Sequence, residues 1–572
     1  MRPSLALMRR TCAATLAAIL TSACATNPVT GQRELILMSP EREAELGRAA
    51  AKQVADEMGL VDAEGLNTYV RAIGARIASA SPRTDVEYRF HIVDLPEANA
   101  FALPGGYIYV SRGILALANS EDELANVIAH EVAHVAARHS AQRETRAAGV
   151  GLLAVLGTIA AAVAGGAEAA ETVGQLGQIA GAGLIASYSR DQEREADVVG
   201  QALAAQQGWD PAAMATFLRS LERDVALRHG GGRSPSFFDS HPSTPERIRN
   251  TATRARELAH GPSQSLAVDH ADFLARIEGT LVGPNPAGGL FDGNRFLHPD
   301  LDFHLRFPDG WSTTNTPAFV GGMPEDGSAV IKLELQGPGS DPEMAAREFL
   351  HGAALEPVEG GAGRVGSLYH VVAVAQTQQG QVAVDLFWAA HRAHIYRLSG
   401  VTATTRYREY APLFERTAQS FRPLTGPERA SVRKITLRVA TARPGETLQE
   451  LSARSGNTWS VEETAVANAL EPDARLSAGQ RLKIAVAEPY EGSRRSRAGP
   501  GSTVRHARSA DRRPQKGARS ASLSAAGRGE LPRPASAEAL APERPAGTSH
   551  AMEWALRGAG GGRGALLSEN GD

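Results

Sequence analysis

Cysteine is nearly absent from this chain: among 572 residues only Cys12 and Cys24 are cysteines, and both lie near the start. No disulfide framework and no cysteine-ligated metal site is therefore available to the body of the protein. Neither sign of charge is in excess. The formal net charge is −3, from 60 basic and 63 acidic side chains, so nothing favours polyanions and nucleic acid is not an expected partner. Aromatic residues make up only 5%, and they almost vanish after Glu491, where Arg, Gly, Ser, Ala and Pro take over. A stretch of that composition cannot bury enough apolar surface to fold, so 488–572 is expected to be a disordered tail. The rest is ordinary for globular protein, with 42% hydrophobic and 22% charged residues. The length suggests two to four domains.

A long apolar run is also missing at the N-terminus. Arg2, Arg9 and Arg10 precede an apolar stretch from Ala13 to Ala23 that is too short to span a bilayer. Positive start, apolar stretch and small residues are the layout of a secretory signal over 1–24. Two processing outcomes fit it. Thr21-Ser22-Ala23 before Cys24 resembles a bacterial lipoprotein cleavage site, although Leu20 sits one place early, and lipidation of Cys24 would anchor the chain. Ala23-Cys24-Ala25 also fits an ordinary small-x-small cut, which would remove the cysteine. Lipidation is preferred, because Thr26-Asn27-Pro28 gives the flexible polar start that a tether needs. If Cys24 is lipidated, Ala25 rather than an acidic residue after it suggests the outer membrane, by the habit of the lipoproteins this site resembles.

Apolar positions at three- and four-residue spacing predict helix over 40–82. Tyr88–Val93 and Gly106–Ser111 are expected as strands. A long helix is expected from Glu121 to Arg146, opened by a capping box of Ser120 and Glu123. Another should run from Ser189 to Gln206 and stop at Gly208, with Asp210-Pro211 opening the next. Residues 149–187 are rich in Ala, Gly and Leu; a helical hairpin over the active-site cleft is preferred there to a membrane span. These segments delimit a mostly α domain over 25–260, a linker over 261–295, an α/β sandwich over 296–423 and a small module over 433–487.

The chemistry is concentrated in His130-Glu131-Val132-Ala133-His134. Four residues apart on a helix, both imidazoles project from one face and can reach one cation. Glu131 lies about 100° round from His130, near enough to take a proton from water on the metal, whose pKa zinc lowers to about 7. The same carboxyl could then protonate the leaving amine. Chance alone gives such a pattern in on the order of a few per cent of chains this long, but Val127, Ile128, Ala129, Val132, Ala133 and Val135 flank it as a buried helix requires. A third ligand is needed. In Ser189-Arg190-Asp191-Gln192-Glu193-Arg194-Glu195-Ala196-Asp197, Glu193 and Asp197 share a helical face. Glu193 is the candidate ligand, and Asp197 the carboxylate that accepts a hydrogen bond from a ligand histidine. Glu195 is expected on the opposite, solvated side, and His139, five residues past His134, on the surface.

The string His-Glu-x-x-His followed by Ser-Arg-x-x-Glu-x-x-Ala-Asp resembles gluzincin metallopeptidase family forty-eight, which includes the CAAX prenyl endopeptidases and the HtpX and Oma types. Thr26-Asn27-Pro28-Val29-Thr30-Gly31 is similar to the periplasmic BepA-like lipoprotein branch. The resemblance covers about 25–260. It implies a zincin-like domain with a small edge sheet and one zinc ion per chain, held by His130, His134 and Glu193. Glu131 would be the catalytic base and Asp197 the partner of a ligand histidine. Asn99, Ala100, Phe101 and Ala102 would form the edge strand along which an extended substrate adds. His241, in His241-Pro242-Ser243-Thr244-Pro245-Glu246-Arg247, is implied as a reversible fourth ligand; the alternative is that His241 caps a loop while Arg247 pairs with a core carboxylate.

Residues 438–486 resemble a LysM module of βααβ order, which implies peptidoglycan binding, although Glu446 replaces the commoner Asp; a structural spacer is the alternative. The function implied for the whole is zinc-dependent cleavage of misfolded or misassembled proteins in the bacterial envelope, in the periplasm and with a lipid anchor. The alternative is a chaperone or wall-tethered adaptor with little proteolysis.

Overall fold

The computed structural model describes residues 24–146, 187–228, 237, 241–242, 245–353, 355–377 and 380–492. The signal segment before Cys24, most of the expected hairpin at 149–187 and the tail beyond Gly492 lie outside the described residues. Among those described, no helix is long and apolar enough to cross a membrane.

Strands β1 (Cys24–Thr26) and β2 (Arg33–Leu35) form an antiparallel hairpin. The helix expected over 40–82 is two helices, α1 (Pro40–Glu57) and α2 (Glu64–Ser79). Between them Gly59 takes φ 74°, a left-handed conformation that ends a helix at little cost for glycine. Three strands follow, β3 (Arg89–Val93), β4 (Ala100–Leu103) and β5 (Tyr107–Ser111), in the order β3-β5-β4. Strand β5 is parallel to β3 and antiparallel to β4, which leaves β4 at the sheet edge.

After the short α3 (Arg112–Leu117), α4 (Glu121–Ala136) carries the histidine pair. Ser120 accepts from the Glu123 amide at 3.1 Å, but the Glu123 carboxylate reaches back to the Asn119 amide at 2.7 Å rather than to Ser120, so the expected capping box is only half made. Glu121, Asp122 and Glu123 place negative charge in the first turn, where the helix dipole favours it. Leu124, Val127, Ile128 and Val132 are fully buried, each stabilising the fold by on the order of 1.5–3 kcal/mol. The helix does not run on to Arg146 without a break. Arg138 adopts φ 58°, held by bonds from its guanidinium to Glu43 at 3.2 Å and to the Met38 carbonyl at 2.9 Å. Glu43 in turn takes a bidentate pair from buried Arg83 at 2.7 and 2.9 Å. Helix resumes at 139–146.

Helix α5 (Arg190–Gln206) starts with a full capping box between Ser189 and Gln192. It is followed by α6 (Ala213–Arg228), α7 (Pro245–Ala255) and α8 (His270–Ile277). The expected linker over 261–295 needs correction: Phe273, Leu274 and Ile277 of α8 are buried in the same core as α4, because their three- and four-residue spacing gives even this short helix an apolar face.

From β6 (Leu290–Asp292) the chain builds a three-stranded sheet with β7 (Arg295–His298) and β8 (Phe303–Arg306). Seven further strands, β9 (Ser312–Asn315), β10 (Phe319–Met323), β11 (Ala329–Pro338), β12 (Pro357–Val365), β13 (Leu368–Thr377), β14 (Gly380–His391) and β15 (His394–Ala403), form one antiparallel sheet. Its order is β12-β13-β14-β15-β11-β10-β9. Alternation along β14 sends Leu386 and Trp388 to the face covered by α9 (Pro342–Ala353), and Phe387 and Ala389 to the face covered by α10 (Tyr407–Gln419).

After α11 (Gly426–Ser431), the last unit runs β16 (Arg433–Thr441), α12 (Leu448–Ser455), α13 (Val461–Ala467) and β17 (Arg481–Pro489), with the two strands antiparallel. It is docked on the α4 domain. Residues 279–282 run along β16, with Gly279 N to Leu437 O at 2.9 Å and Leu437 N to Thr280 O at 2.8 Å. Lys483 is fully buried and donates to the carbonyls of Ala116, Leu117 and Ala118 at 2.8, 3.1 and 2.7 Å, at the C-terminal end of α3. Burial pushes its ammonium down to about 7 against the pull of nearby Glu123. Lys483→Met would take this donor from the Ala116 and Ala118 carbonyls and the nearby positive charge from Glu123, an expected cost of about 3 kcal/mol, read as a lower denaturant midpoint with an unchanged slope.

Candidate metal centre

Two helices bring the site together. Helix α5 crosses α4 so closely that a Cβ on Gly200 would lie 2.9 Å from the His130 backbone nitrogen and Cα, so only glycine permits this approach. The crossing sets Glu193 and Asp197 opposite His130 and His134. One ligand atom from each of His130, His134, Glu193 and His241 can be chosen so that all lie within 4.8 Å of one another, and all four residues are buried. Nε2 of His130 and Nε2 of His134 are 3.0 Å apart. A Glu193 oxygen is 3.4 Å from His134 Nε2, and its other oxygen 3.5 Å from His130 Nε2. His241 Nδ1 is 2.9 Å from Glu193 Oε1 and 3.3 Å from His130 Nε2.

Each group is fixed from behind. Asp197 Oδ1 lies 3.1 Å from His130 Nδ1. Buried Arg247 makes a bidentate pair with Asp197, both bonds 2.7 Å, and sets Nη1 2.7 Å from Glu193. Both features of the two readings of the His241 loop thus occur together: His241 joins the cluster, and Arg247 pairs with core carboxylates. The Tyr188 ring stacks on His134 at 3.9 Å and the Phe237 ring on His241 at 4.2 Å. Sequence reasoning passed over Tyr188, although it directly precedes the Ser189-Arg190 string.

Two expectations need correction. His139 is not on the surface but fully buried, with Nδ1 2.8 Å from His134 Nδ1. The surface placement assumed an unbroken helix, and the left-handed Arg138 swings the ring back. Glu195 is only half exposed, and its carboxylate faces His139 Nε2 at 3.4 Å and accepts from Asn27 at 3.0 Å.

For the side chains alone, burial would raise Glu193, but His241, His130 and His134 outweigh it and hold the carboxyl well below its usual range. Burial would likewise raise Asp197, and Arg247 keeps it low. Burial lowers His134 well below the usual imidazole value. It would lower His130 too, but Asp197 and Glu193 prevail and hold it at about 9; carboxylates that favour a proton there would equally favour a metal cation in its place. Glu131 is fully buried and raised by that burial. Neither of its oxygens, nor His241 Nε2, has a hydrogen-bond partner among the described residues. Buried polar atoms left open around converging nitrogen and oxygen donors suit a divalent ion of the zinc type. Edge strand β4 adjoins the cluster, its Ala102 carbonyl 3.5 Å from the Tyr188 hydroxyl.

Comparison with known proteins gives the context. The model of peptidase family M48 matches residues 64–255. The mitochondrial metalloendopeptidase OMA1 of Schizosaccharomyces pombe is 34% identical over 226 residues, 39% of this chain and 64% of the relative. The beta-barrel assembly-enhancing protease of Escherichia coli is 29% identical over 226 residues, 39% and 45% of the two chains. The metalloprotease LoiP of Escherichia coli is 33% identical over 196 residues, 34% of this chain and 70% of the relative. This chain therefore spans 64% of the first of these relatives and 45% of the second. Metallopeptidases of that family use zinc, which the donor set found here could bind. A relative 33% identical across 70% of its own length, together with a family model that matches 64–255, the span that holds α4 and α5, makes this chain a member of peptidase family M48.

Proposed function

We propose that this chain is a zinc-dependent endopeptidase of the bacterial cell envelope that cleaves misfolded or misassembled envelope proteins. The observation that carries the proposal is the convergence of His130, His134 and Glu193 beside a buried Glu131 in a chain of family M48. One zinc ion held by His130, His134 and Glu193 would polarise the scissile carbonyl and lower the pKa of water to about 7. Glu131 takes the proton from the attacking water and delivers it to the leaving amine. Asp197 Oδ1, 3.1 Å from His130 Nδ1, is placed to take that nitrogen's proton, which leaves Nε2 to face the ion, while Arg247 keeps Asp197 ionised and lies 2.7 Å from Glu193. The substrate adds in extended form along β4, beside Asn99, Ala100, Phe101 and Ala102. His241 acts as a reversible fourth ligand; its nearness to Glu193 and Glu131, at 2.9 and 3.5 Å, supports that role.

Likeness to the beta-barrel assembly-enhancing protease supports an envelope role. With it go a lipid anchor at Cys24, a place in the periplasm at the outer membrane, and peptidoglycan contact through the LysM-like unit at 433–487, whose βααβ order supports that assignment. An adaptor with a purely structural ion is not favoured, because it has no use for a buried Glu131 whose oxygens make no hydrogen bond among the described residues. The purified chain should degrade unfolded casein, lose that activity to a chelator and regain it with zinc. Solubilisation of purified peptidoglycan in place of casein cleavage would overturn the assignment.

A further inference from the structure

Behind His134, on the side away from the candidate metal position, lies a buried polar chain that the proposed reaction does not use. His134 Nδ1 and His139 Nδ1 are 2.8 Å apart, and His139 Nε2 faces Glu195 Oε2 at 3.4 Å. The other Glu195 oxygen accepts from the Asn27 amide at 3.0 Å. Asn27 is fully buried and is the pivot of the β1–β2 hairpin: its side-chain oxygen accepts from the Val29 and Thr30 amides at 2.9 and 3.3 Å. The same amide nitrogen also donates to Glu34 at 3.0 Å, and Glu34 is tied to the 139–146 helix by Gln142 at 2.5 Å. The hairpin is thus seated on the back of the metal centre across more than a hundred residues of sequence.

We infer that His139 is a positioning residue for the metal ligand His134, and that the N-terminal hairpin supports it through Asn27 and Glu195. The inference rests on the reading of His134 as a ligand. A neutral imidazole that gives Nε2 to a metal must carry its proton on Nδ1. Among the described residues the acceptor for that proton is His139 Nδ1, so the His139 proton must sit on Nε2, the nitrogen that faces Glu195. Both tautomers are thereby set, the His134–His139 bond restrains rotation of the His134 ring about its bond to Cβ, and the Glu195 carboxylate, 3.4 Å from His139 Nε2, raises the basicity of the ligand nitrogen through the His139 ring. Asn27 holds Glu195 in place, which makes the segment just after Cys24 part of the metal centre rather than a passive tether.

The test is zinc affinity, measured by competition with a chromophoric chelator on the full chain, together with the melting temperature of the metal-free protein. His139→Phe keeps the ring volume and removes the acceptor. It should weaken zinc binding about 10–100-fold, and His139→Gln, which restores an acceptor, should recover part of the loss. Asn27→Ala should weaken zinc binding less, and should add little in the His139→Phe background, because it acts through the same residue. The melting temperature of the metal-free form should move little in His139→Phe. If His139→Phe binds zinc as tightly as the wild type, or if its loss appears only as a lower metal-free melting temperature, His139 is merely structural and the inference fails. Full additivity of Asn27→Ala and His139→Phe would remove the hairpin from it. A wild-type chain that binds no zinc would instead overturn the reading of the site itself. Should His139→Phe not fold, Asn27→Ser and Glu195→Gln carry the same comparison from the outer end of the chain.

Discussion

Glu131→Gln should bind one zinc ion per chain, fold as the wild type does, and cleave unfolded protein on the order of 10²–10⁴-fold more slowly. The substitution preserves shape and removes only the ability to accept a proton. Glu131 touches the cluster through His241, 3.5 Å from its Oε1, and neither oxygen is tied down among the described residues. A carboxylate fixed for structure would be hydrogen-bonded. This one is left without a hydrogen bond among the described residues, and burial raises its pKa above the usual carboxylate value. The comparison is made from initial rates at saturating zinc, with metal content measured on the same samples. Equal rates for the two proteins would show that another group handles the proton.

His241→Ala should have the opposite sign: cleavage about tenfold faster or more, with zinc stoichiometry unchanged and affinity modestly lower. His241 reaches the cluster from the loop before α7, with Nδ1 2.9 Å from Glu193 and its ring stacked on Phe237. A catalytic zinc site keeps one position open for water or substrate, and a site with four protein ligands is closed. On the proposed reading His241 would be the fourth. His241 lies outside α4 and α5, which carry the other three candidate ligands, so its removal leaves both helices intact and should expose the position permanently. A fall in both activity and zinc affinity would instead make His241 a constant member of the site. Pre-steady-state traces offer a second measure, since a lag present in the wild type should vanish in the variant.

How much of this could be read beforehand depends on how far apart the partners lie. The spacing of His130, Glu131 and His134 on a buried helix is a local property, and α4 and its apolar faces follow from it. The start of α5 at Ser189 is equally local, since a capping box needs only Ser189 and Gln192. Where Glu193 points is not local. It depends on the helix crossing that Gly200 permits, and only the downstream motif hinted at it. His139 was misplaced because one left-handed residue, Arg138, breaks the helical period; what holds Arg138 there is Glu43, 95 residues away. The docking of the last unit was invisible for the same reason. Lys483 reads as an exposed strand lysine until its three carbonyl partners, more than 360 residues upstream, are brought to it. Asn27 looked like the start of a flexible tether, as polar residues after a cleavage site do, and its partners at Glu34 and Glu195 appear only in the folded chain.

Zinc content is the most direct test of the central claim that His130, His134 and Glu193 form a metal centre. Elemental analysis of the purified chain, and of His134→Ala prepared in parallel, should give one zinc per wild-type chain and almost none in the variant. No zinc in the wild type, or one zinc in both proteins, would contradict it.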